Sequence, residues 1–324
     1  MLHLLVAGKL HPSGEAMLET LGEKGVRVEY VEEVSEASYA PLIARADALV
    51  IRTQPLSAAT IAQAENLRVV SRHGVGYDSV DLNALNARGI ALTIVGDVNS
   101  VSVAEHAMTQ ILCGAKQVLR ADQAVRDPSQ WGWRNRLEQR EISGKTLLIM
   151  GYGRIGRRLA KMALAFDMKV CAYDPYLLSS GWPDGPVRPV ERLEDGLAEA
   201  DFISVHIPKS DRPLLGDAEF SMMKPGVVIA NTARGGVVCE AALHKALCSG
   251  HVAAAGLDVF DVEPPKDGTV FRACDTALLS PHIAGLTNEC GERMALASLQ
   301  NALDFLSGDI DPALIVNPEV LHAV

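Results

Sequence analysis

No C-x-x-C pair, no run of like charge, no internal repeat and no apolar stretch of transmembrane length occurs in these 324 residues. Each absence narrows the function. The six cysteines, Cys113, Cys171, Cys239, Cys248, Cys274 and Cys290, are scattered through apolar or helical segments. That scatter argues against a disulfide framework or a zinc site and reads as free thiols in a reducing cytoplasm, so no metal is expected. The apolar start, residues 1–7, is too short for an export signal and has no basic leader. No membrane partner is expected, since a spanning helix needs about 20 apolar residues in a row. A net charge of -10 argues against nucleic acid as the main partner. Any anionic substrate must then be met by locally placed cations.

What is present is the composition of a globular protein, 48% hydrophobic and 22% charged, in a length that suits two domains with a core each. Short apolar runs at 2–7, 26–30, 48–51, 69–71 and 91–94 are separated by helical patterns at 13–21, 57–65 and 81–88. After a Pro-, Gly- and Ser-rich stretch at 178–189, read as a loop, the alternation resumes. Strands are expected at 202–205, 227–230, 253–257 and 277–279, helices near 190–200, 217–223 and 240–249, and a last amphipathic helix at 288–306. This alternation indicates an α/β fold of doubly wound parallel sheets. Ser102 and Glu105 match a capping box, which predicts a long helix from there through Val118 that crosses from the first sheet to the second. Trp131-Gly-Trp-Arg-Asn-Arg136 suits a lid, a dimer contact or plain surface.

The chain is organised around Lys145-Thr-Leu-Leu-Ile-Met-Gly-Tyr-Gly-Arg-Ile-Gly156, which reads as a strand, a tight turn and a helix N-terminus. In a dinucleotide-binding unit Gly151 permits the turn, Gly153 admits a pyrophosphate and Gly156 lets the helix pack on the strand. The helix start at Arg154 and Ile155 offers N–H groups and a positive dipole end to the phosphates. A second apolar run ends in Asp174, roughly twenty residues past the glycines, where this fold places an acid on the adenosine ribose. Asp174 would repel a 2′-phosphate, and Pro175-Tyr176 supplies no Arg to hold one, so NAD is favoured over NADP.

Ligands of such sheets bind beyond the carboxyl ends of the strands. In the first half those ends carry Arg52 and Arg72-His73-Gly74-Val75-Gly76, whose glycines could aim N–H groups at an anion. In the second half they carry Asn231-Thr-Ala-Arg234-Gly-Gly, Asp258-Val-Phe-Asp-Val-Glu263 and Ser280-Pro-His282. Hydride exchange with a hydroxy acid needs a cation for the carboxylate, a proton-exchanging group and a means of tuning that group. Arg234, His282 and Glu263 suit those three tasks in turn.

Together, Gly151-Tyr-Gly-Arg-Ile-Gly156, Asn231-Thr-Ala-Arg-Gly-Gly236, Gly256-Leu-Asp-Val-Phe260 through Glu263-Pro264, and Ser280-Pro-His-Ile-Ala-Gly285 resemble the NAD-dependent D-isomer-specific 2-hydroxyacid dehydrogenases over essentially the whole chain. The resemblance implies a Rossmann-type NAD domain, 100–285, inserted into a flavodoxin-like substrate domain, 1–99 with 286–324. It also implies a cleft between them, a small anionic 2-hydroxy or 2-oxo acid as substrate, and a homodimer. It assigns catalysis to Arg234, Glu263 and His282, the nicotinamide amide to Asp258, and further cofactor positions to His206, Thr232 and Gly285. The substrate-carboxylate loop falls on Gly74 and Val75.

Within the family, Arg72-His-Gly-Val-Gly-Tyr-Asp78, Val103-Ala-Glu-His106 and Arg234-Gly-Gly-Val-Val are most similar to 3-phosphoglycerate dehydrogenases, where Arg52 and Arg72 would suit a phosphate. His73 replaces a small residue and is expected to narrow or recharge the substrate loop. No regulatory domain is expected after the last helix. The alternatives are a hydroxypyruvate or glyoxylate reductase, which needs one anion site, and a non-catalytic NAD-sensing interaction protein.

Overall fold

Runs of Leu, Val, Ile and Ala without an alternating polar face make strands covered on both sides, the condition of a parallel sheet. The structure, a computed structural model, describes residues 1–265 and 268–322; positions 323 and 324 of the expected terminal segment lie outside them. The chain divides into two compact units, Met1–Asn99 with Leu286–Val324, and Ser100–Gly285.

In the first unit β1 (His3–Ala7), α1 (Pro12–Glu23), β2 (Arg27–Val31), α2 (Glu36–Tyr39), β3 (Ala48–Ile51), α3 (Ala58–Ile61), β4 (Val69–Arg72), α4 (Leu82–Ala87) and β5 (Ala91–Thr93) follow one another. All strand pairs are parallel, in the order β2-β1-β3-β4-β5, which is the flavodoxin-like order. Each face of the sheet has its own core. One gathers Leu5, Leu49, Val70 and Leu92 with Tyr39, Ile43 and Leu85; the other gathers Leu4, Val6, Val50 and Val69 with Leu18, Ala295, Leu299 and Ala302.

The second unit contains α5 (Ser100–Lys116), α6 (Val118–Arg126), β6 (Thr146–Met150), α7 (Arg154–Ala165), β7 (Lys169–Tyr173), α8 (Pro175–Ser180), β8 (Arg188–Pro189), α9 (Leu193–Glu199), β9 (Phe202–Val205), α10 (Asp217–Met222), β10 (Val227–Asn231), α11 (Glu240–Cys248), β11 (Val252–Leu257) and β12 (Ala277–Leu279). Its parallel sheet runs β12-β11-β10-β9-β6-β7-β8. The chain starts in the middle at β6, winds out to β8 and returns to β9 on the other side. The switch point therefore lies between β6 and β9. The last helix, α12 (Asn288–Ser307), returns to the first unit. Its Thr287 side chain accepts from the Cys290 amide, and left-handed Gly308 ends it.

Three local expectations are corrected. The helix from Ser102 starts earlier, at Ser100, so Ser102 is a buried interior residue and the capping box is not used. It also stops at Lys116, because Gln117 turns left-handed (φ 50°) and sets a new direction for α6. The stretch read as a loop holds the end of α8 and the short edge strand β8, where Pro189 is tolerated because an edge needs fewer donors. No helix among the described residues is long and apolar enough to cross a membrane.

Candidate active site

The glycines of the β6–α7 turn divide their tasks as their spacing requires. Gly151 has φ +95°, and a Cβ there would lie 2.7 Å from the carbonyl oxygen of His206. At Gly156 a Cβ would sit 2.3 Å from the Gly151 carbonyl oxygen, so only glycine lets α7 approach the turn this closely. A Cβ at Gly153 would meet nothing within 4 Å, which leaves that backbone open to a ligand at the start of α7, beside Arg154 and Ile155. Asp174 ends β7 and is half-buried. One carboxylate oxygen accepts from the Tyr152 amide at 2.9 Å, and the other from the amides of Tyr176 and Leu177. Its carboxylate thus pins the glycine turn and caps α8, a structural duty that sequence spacing does not reveal.

The ends of β9 and β10 carry two polar atoms that lack partners. His206 Nε2 pairs with Ser204 Oγ at 2.8 Å, while its Nδ1 is buried with no hydrogen-bond partner among the described residues. Burial pushes the His206 pKa down to about 3, so the ring is neutral. Thr232 Oγ1 is likewise buried without a partner. Buried polar groups such as these are usually completed by a protein, water or ligand partner. With the open Gly153 backbone they fit a dinucleotide.

Arg234 follows in a turn that Asn231 shapes, its side chain accepting from the Ala233 amide (3.0 Å) and donating to the Arg234 carbonyl (3.2 Å). Gly235 lies so close to Phe260 that a Cβ would be 1.8 Å from that carbonyl oxygen. The Arg234 loop is thereby packed against the segment leading to Glu263. Glu263 accepts from the Phe260 amide at 2.9 Å through one oxygen and pairs with His282 Nδ1 at 2.6 Å through the other.

The expected pair is formed, and its titration follows. Burial alone would raise the Glu263 carboxyl, but the hydrogen bonds from His282 and the Phe260 amide and the charges of His282 and Arg234 hold it below the usual range. The His282 pKa is raised, first by its hydrogen bond to Glu263; burial and Arg234 oppose this without reversing it. With Nδ1 bound to Glu263, Nε2 is the nitrogen left to exchange a proton. His282 sits in the left-handed region, φ 53°, uncommon for a side chain of this size and typical of functional loops.

A duty that sequence reasoning missed falls on Asp258, which holds this loop. Asp258, 1% exposed, accepts through one oxygen from Ser280 Oγ (2.5 Å) and the Ile283 amide (2.9 Å), and through the other from the Ala284 amide (2.8 Å). His106 of α5 reaches the same place, its Nε2 3.0 Å from Ser280 Oγ. Asp258, assigned to the cofactor amide, is therefore first of all the anchor of the His282 loop. Gly285 is the last residue of the unit, directly after Ala284.

In the first unit the strand ends are cationic. Arg52 follows β3 and donates to the Lys9 carbonyl (3.2 Å); Arg72 ends β4 and donates to the His73 carbonyl (3.0 Å). His73 does not recharge the loop. Its ring is buried against Ser298 Oγ (3.1 Å) of α12, and burial, followed by the charges of Arg52 and Arg72, pushes its pKa down to about 3. The Gly74 amide is also spent, donating to the Arg72 carbonyl at 2.9 Å, and Gly76 has no left-handed φ. Among the described residues the amides of Val75 and Gly76 have no acceptor, and these are the donors the loop offers.

Residues 108–284 match the family described as D-isomer specific 2-hydroxyacid dehydrogenase, NAD binding domain. The chain belongs to that family. Among curated members it is 37% identical over 332 residues to a D-3-phosphoglycerate dehydrogenase of Mycobacterium bovis, covering 98% of this chain and 60% of the relative. It is also 37% identical over 270 residues to a hydroxypyruvate reductase of Thermotoga maritima, covering 82% and 86%. The chain spans 56% to 60% of the length of the phosphoglycerate dehydrogenase relatives from Archaeoglobus fulgidus and Mycobacterium bovis. Among solved structures the TT0316 protein of Thermus thermophilus superposes with a TM-score of 0.87 at 32% identity, over 97% of this chain and all of that one. The matched region is the NAD-binding domain of this dehydrogenase family, and NAD is the cofactor.

Proposed function

We propose that the protein is an NAD-dependent dehydrogenase that interconverts a D-2-hydroxy acid and its 2-oxo acid. The observation that carries this reading is the 2.6 Å Glu263–His282 pair beside the Arg234 turn. Bound NAD supplies hydride acceptance and donation. Arg234 grips the substrate carboxylate and polarises the carbonyl, since a guanidinium binds carboxylate bidentately. His282 Nε2 takes the hydroxyl proton during oxidation and returns it during reduction. Glu263 fixes the ring and favours its protonated form, while Asp258 and Ser280 hold the loop in place. On the cofactor side, Gly151, Gly153 and Gly156 with the amides of Arg154 and Ile155 receive the pyrophosphate. Asp174 has three of its roughly four acceptor sites occupied and one left for a ribose hydroxyl. Its charge favours NAD over NADP. His206, Thr232, Asp258 and Gly285 complete the cofactor contacts.

The substrate we favour is a phosphorylated acid such as 3-phosphoglycerate. Arg52 and Arg72 both bear electrostatically on His73, so two cations stand at the adjoining ends of β3 and β4, near the Val75 and Gly76 amides. The second reading is a hydroxypyruvate or glyoxylate reductase, favoured by the Thermotoga maritima relative, most of whose length this chain matches. Consumption of NADH with phosphohydroxypyruvate, hydroxypyruvate and glyoxylate decides between them. Preference for the phosphorylated acid supports the first, preference for the others supports the second, and no turnover on any 2-oxo acid returns the protein to a sensing role.

A homodimer is supported by the arm of α6 and residues 128–136. Only Ala124 of α6 is buried, and Val118, Leu119, Val125, Trp131 and Leu137 are exposed, apolar side chains that a second copy would cover. Free cysteines support residence in a reducing cytoplasm.

A further inference from the structure

Three soft ligands that the sequence keeps apart meet on the second unit, away from the residues assigned to hydride transfer. His244 and Cys248 are four residues apart on α11, one turn along the same face. Cys274 follows the short 3-10 turn Val270–Ala273 that leads into β12. The Cys248 sulfur is 3.7 Å from His244 Nε2, and one ligand atom from each of the three residues lies within 4.8 Å of the others. We propose that His244, Cys248 and Cys274 form a binding site for a thiophilic d10 divalent cation, with Zn²⁺ as the natural occupant.

Tetrahedral Zn²⁺ with bonds of about 2.3 Å to sulfur and 2.0–2.1 Å to nitrogen has ligand edges of about 3.5–3.8 Å. The Cys248–His244 edge already has that length, and Cys274 needs to draw in by about 1 Å at most. His244 is half-buried and its ring lies against Phe271, centroids 6.2 Å apart, which restrains its orientation. Cys248 is exposed, so water can reach the ion and take the fourth position. Without a cation the Cys274 thiol is held neutral, chiefly by burial and then by neighbouring Cys248. On binding, two S–metal bonds form, both thiol protons pass to solvent, and two thiolates cancel the ionic charge. A disulfide between the two cysteines would leave His244 without a task. The imidazole is what favours a metal.

The consequence is a brace. The ion would tie the C-terminal end of α11 to the β11–β12 connection, the segment that carries Glu263. The proposed ligands are spaced by four and twenty-six positions, a pattern that a missing C-x-x-C does not speak to, and folding alone brings them together.

The test is titration of the reduced, full-length protein with Co²⁺, followed by Zn²⁺ displacement. One equivalent of Co²⁺ should give thiolate charge-transfer and tetrahedral ligand-field bands, which Zn²⁺ removes. Cys248→Ser and Cys274→Ser should each lower the charge-transfer intensity and together abolish it, and His244→Ala should weaken binding at least about 10-fold, the lower end of what even an outer-shell partner contributes. Cys113→Ser should change nothing. Absence of bands at equimolar metal, bands that survive in Cys248→Ser/Cys274→Ser, or a Cys248–Cys274 disulfide in the protein as isolated would each overturn the proposal.

Discussion

The two units end their strands in different chemistry. Beyond β10, β11 and β12 stand a carboxylate, an imidazole and a guanidinium, with a buried aspartate clamping the loop that carries the imidazole. Beyond β3 and β4 stand two guanidiniums and a pair of backbone amides. The one imidazole there is buried and neutral. The same architecture thus presents an imidazole–carboxylate pair at the strand ends of one unit and guanidiniums with backbone amides at those of the other. The difference lies in burial and in whether the histidine finds a carboxylate. His282 meets Glu263 and is raised, whereas His73 is depressed first by burial and then by the charges of Arg52 and Arg72.

The sharpest way to break this contrast is to remove the imidazole from each side. His282→Ala should lower kcat by about 10²–10⁴-fold, the range for a lost general acid–base, with NAD affinity retained. His73→Leu should leave the pH dependence of kcat unchanged. A His282→Ala enzyme of near-normal kcat would move proton exchange to another group.

The arginines of the first unit give the next effect in size. Arg72→Gln should cost about 10-fold or more in kcat/KM on phosphohydroxypyruvate, as loss of a charged hydrogen bond of about 1.5–3 kcal/mol implies, and little on hydroxypyruvate. Since Arg72 also donates to the His73 carbonyl, a purely structural arginine would weaken both substrates equally. Equal losses would therefore remove the case for a phosphate, and Arg52→Gln repeats the test from the neighbouring strand.

The sequence made the scaffold legible because buried parallel strands must be apolar on both faces, so their runs stand out against the helical period. The glycine turn was legible residue by residue: Gly151 and Gly156 meet steric limits that no other side chain satisfies. The Glu263–His282 pair was legible because both members lie on segments that follow strand ends. Groups that act across the fold were hidden. Asp258, Ser280 and His106 converge from positions separated by up to 174 residues, and the side chain of His73 turns inward for a serine on the last helix. Periodicity reports which face is buried. It carries no record of which polar atom meets which, and the misplaced capping box at Ser102 failed for that reason.

The smallest effect is also the most specific. Glu263 raises the His282 pKa above the ordinary value of 6.5, so imidazolium persists to higher pH than in a free histidine. Reduction of the 2-oxo acid needs that proton, and its rate should fall as pH rises through the raised pKa; oxidation needs the neutral ring and should rise over the same interval. In Glu263→Gln the neutral amide no longer favours imidazolium, while Arg234 and burial still oppose it. Both limbs should then move to lower pH, reduction fading earlier and oxidation appearing earlier. Because the pair is partly exposed, 52% for His282 and 34% for Glu263, solvent screens its charge and the displacement should be modest. Profiles that coincide with those of the unaltered enzyme would mean that Glu263 orients the ring without tuning it, and the contrast between His282 and His73 would then rest on the burial of His73 and the charges of Arg52 and Arg72.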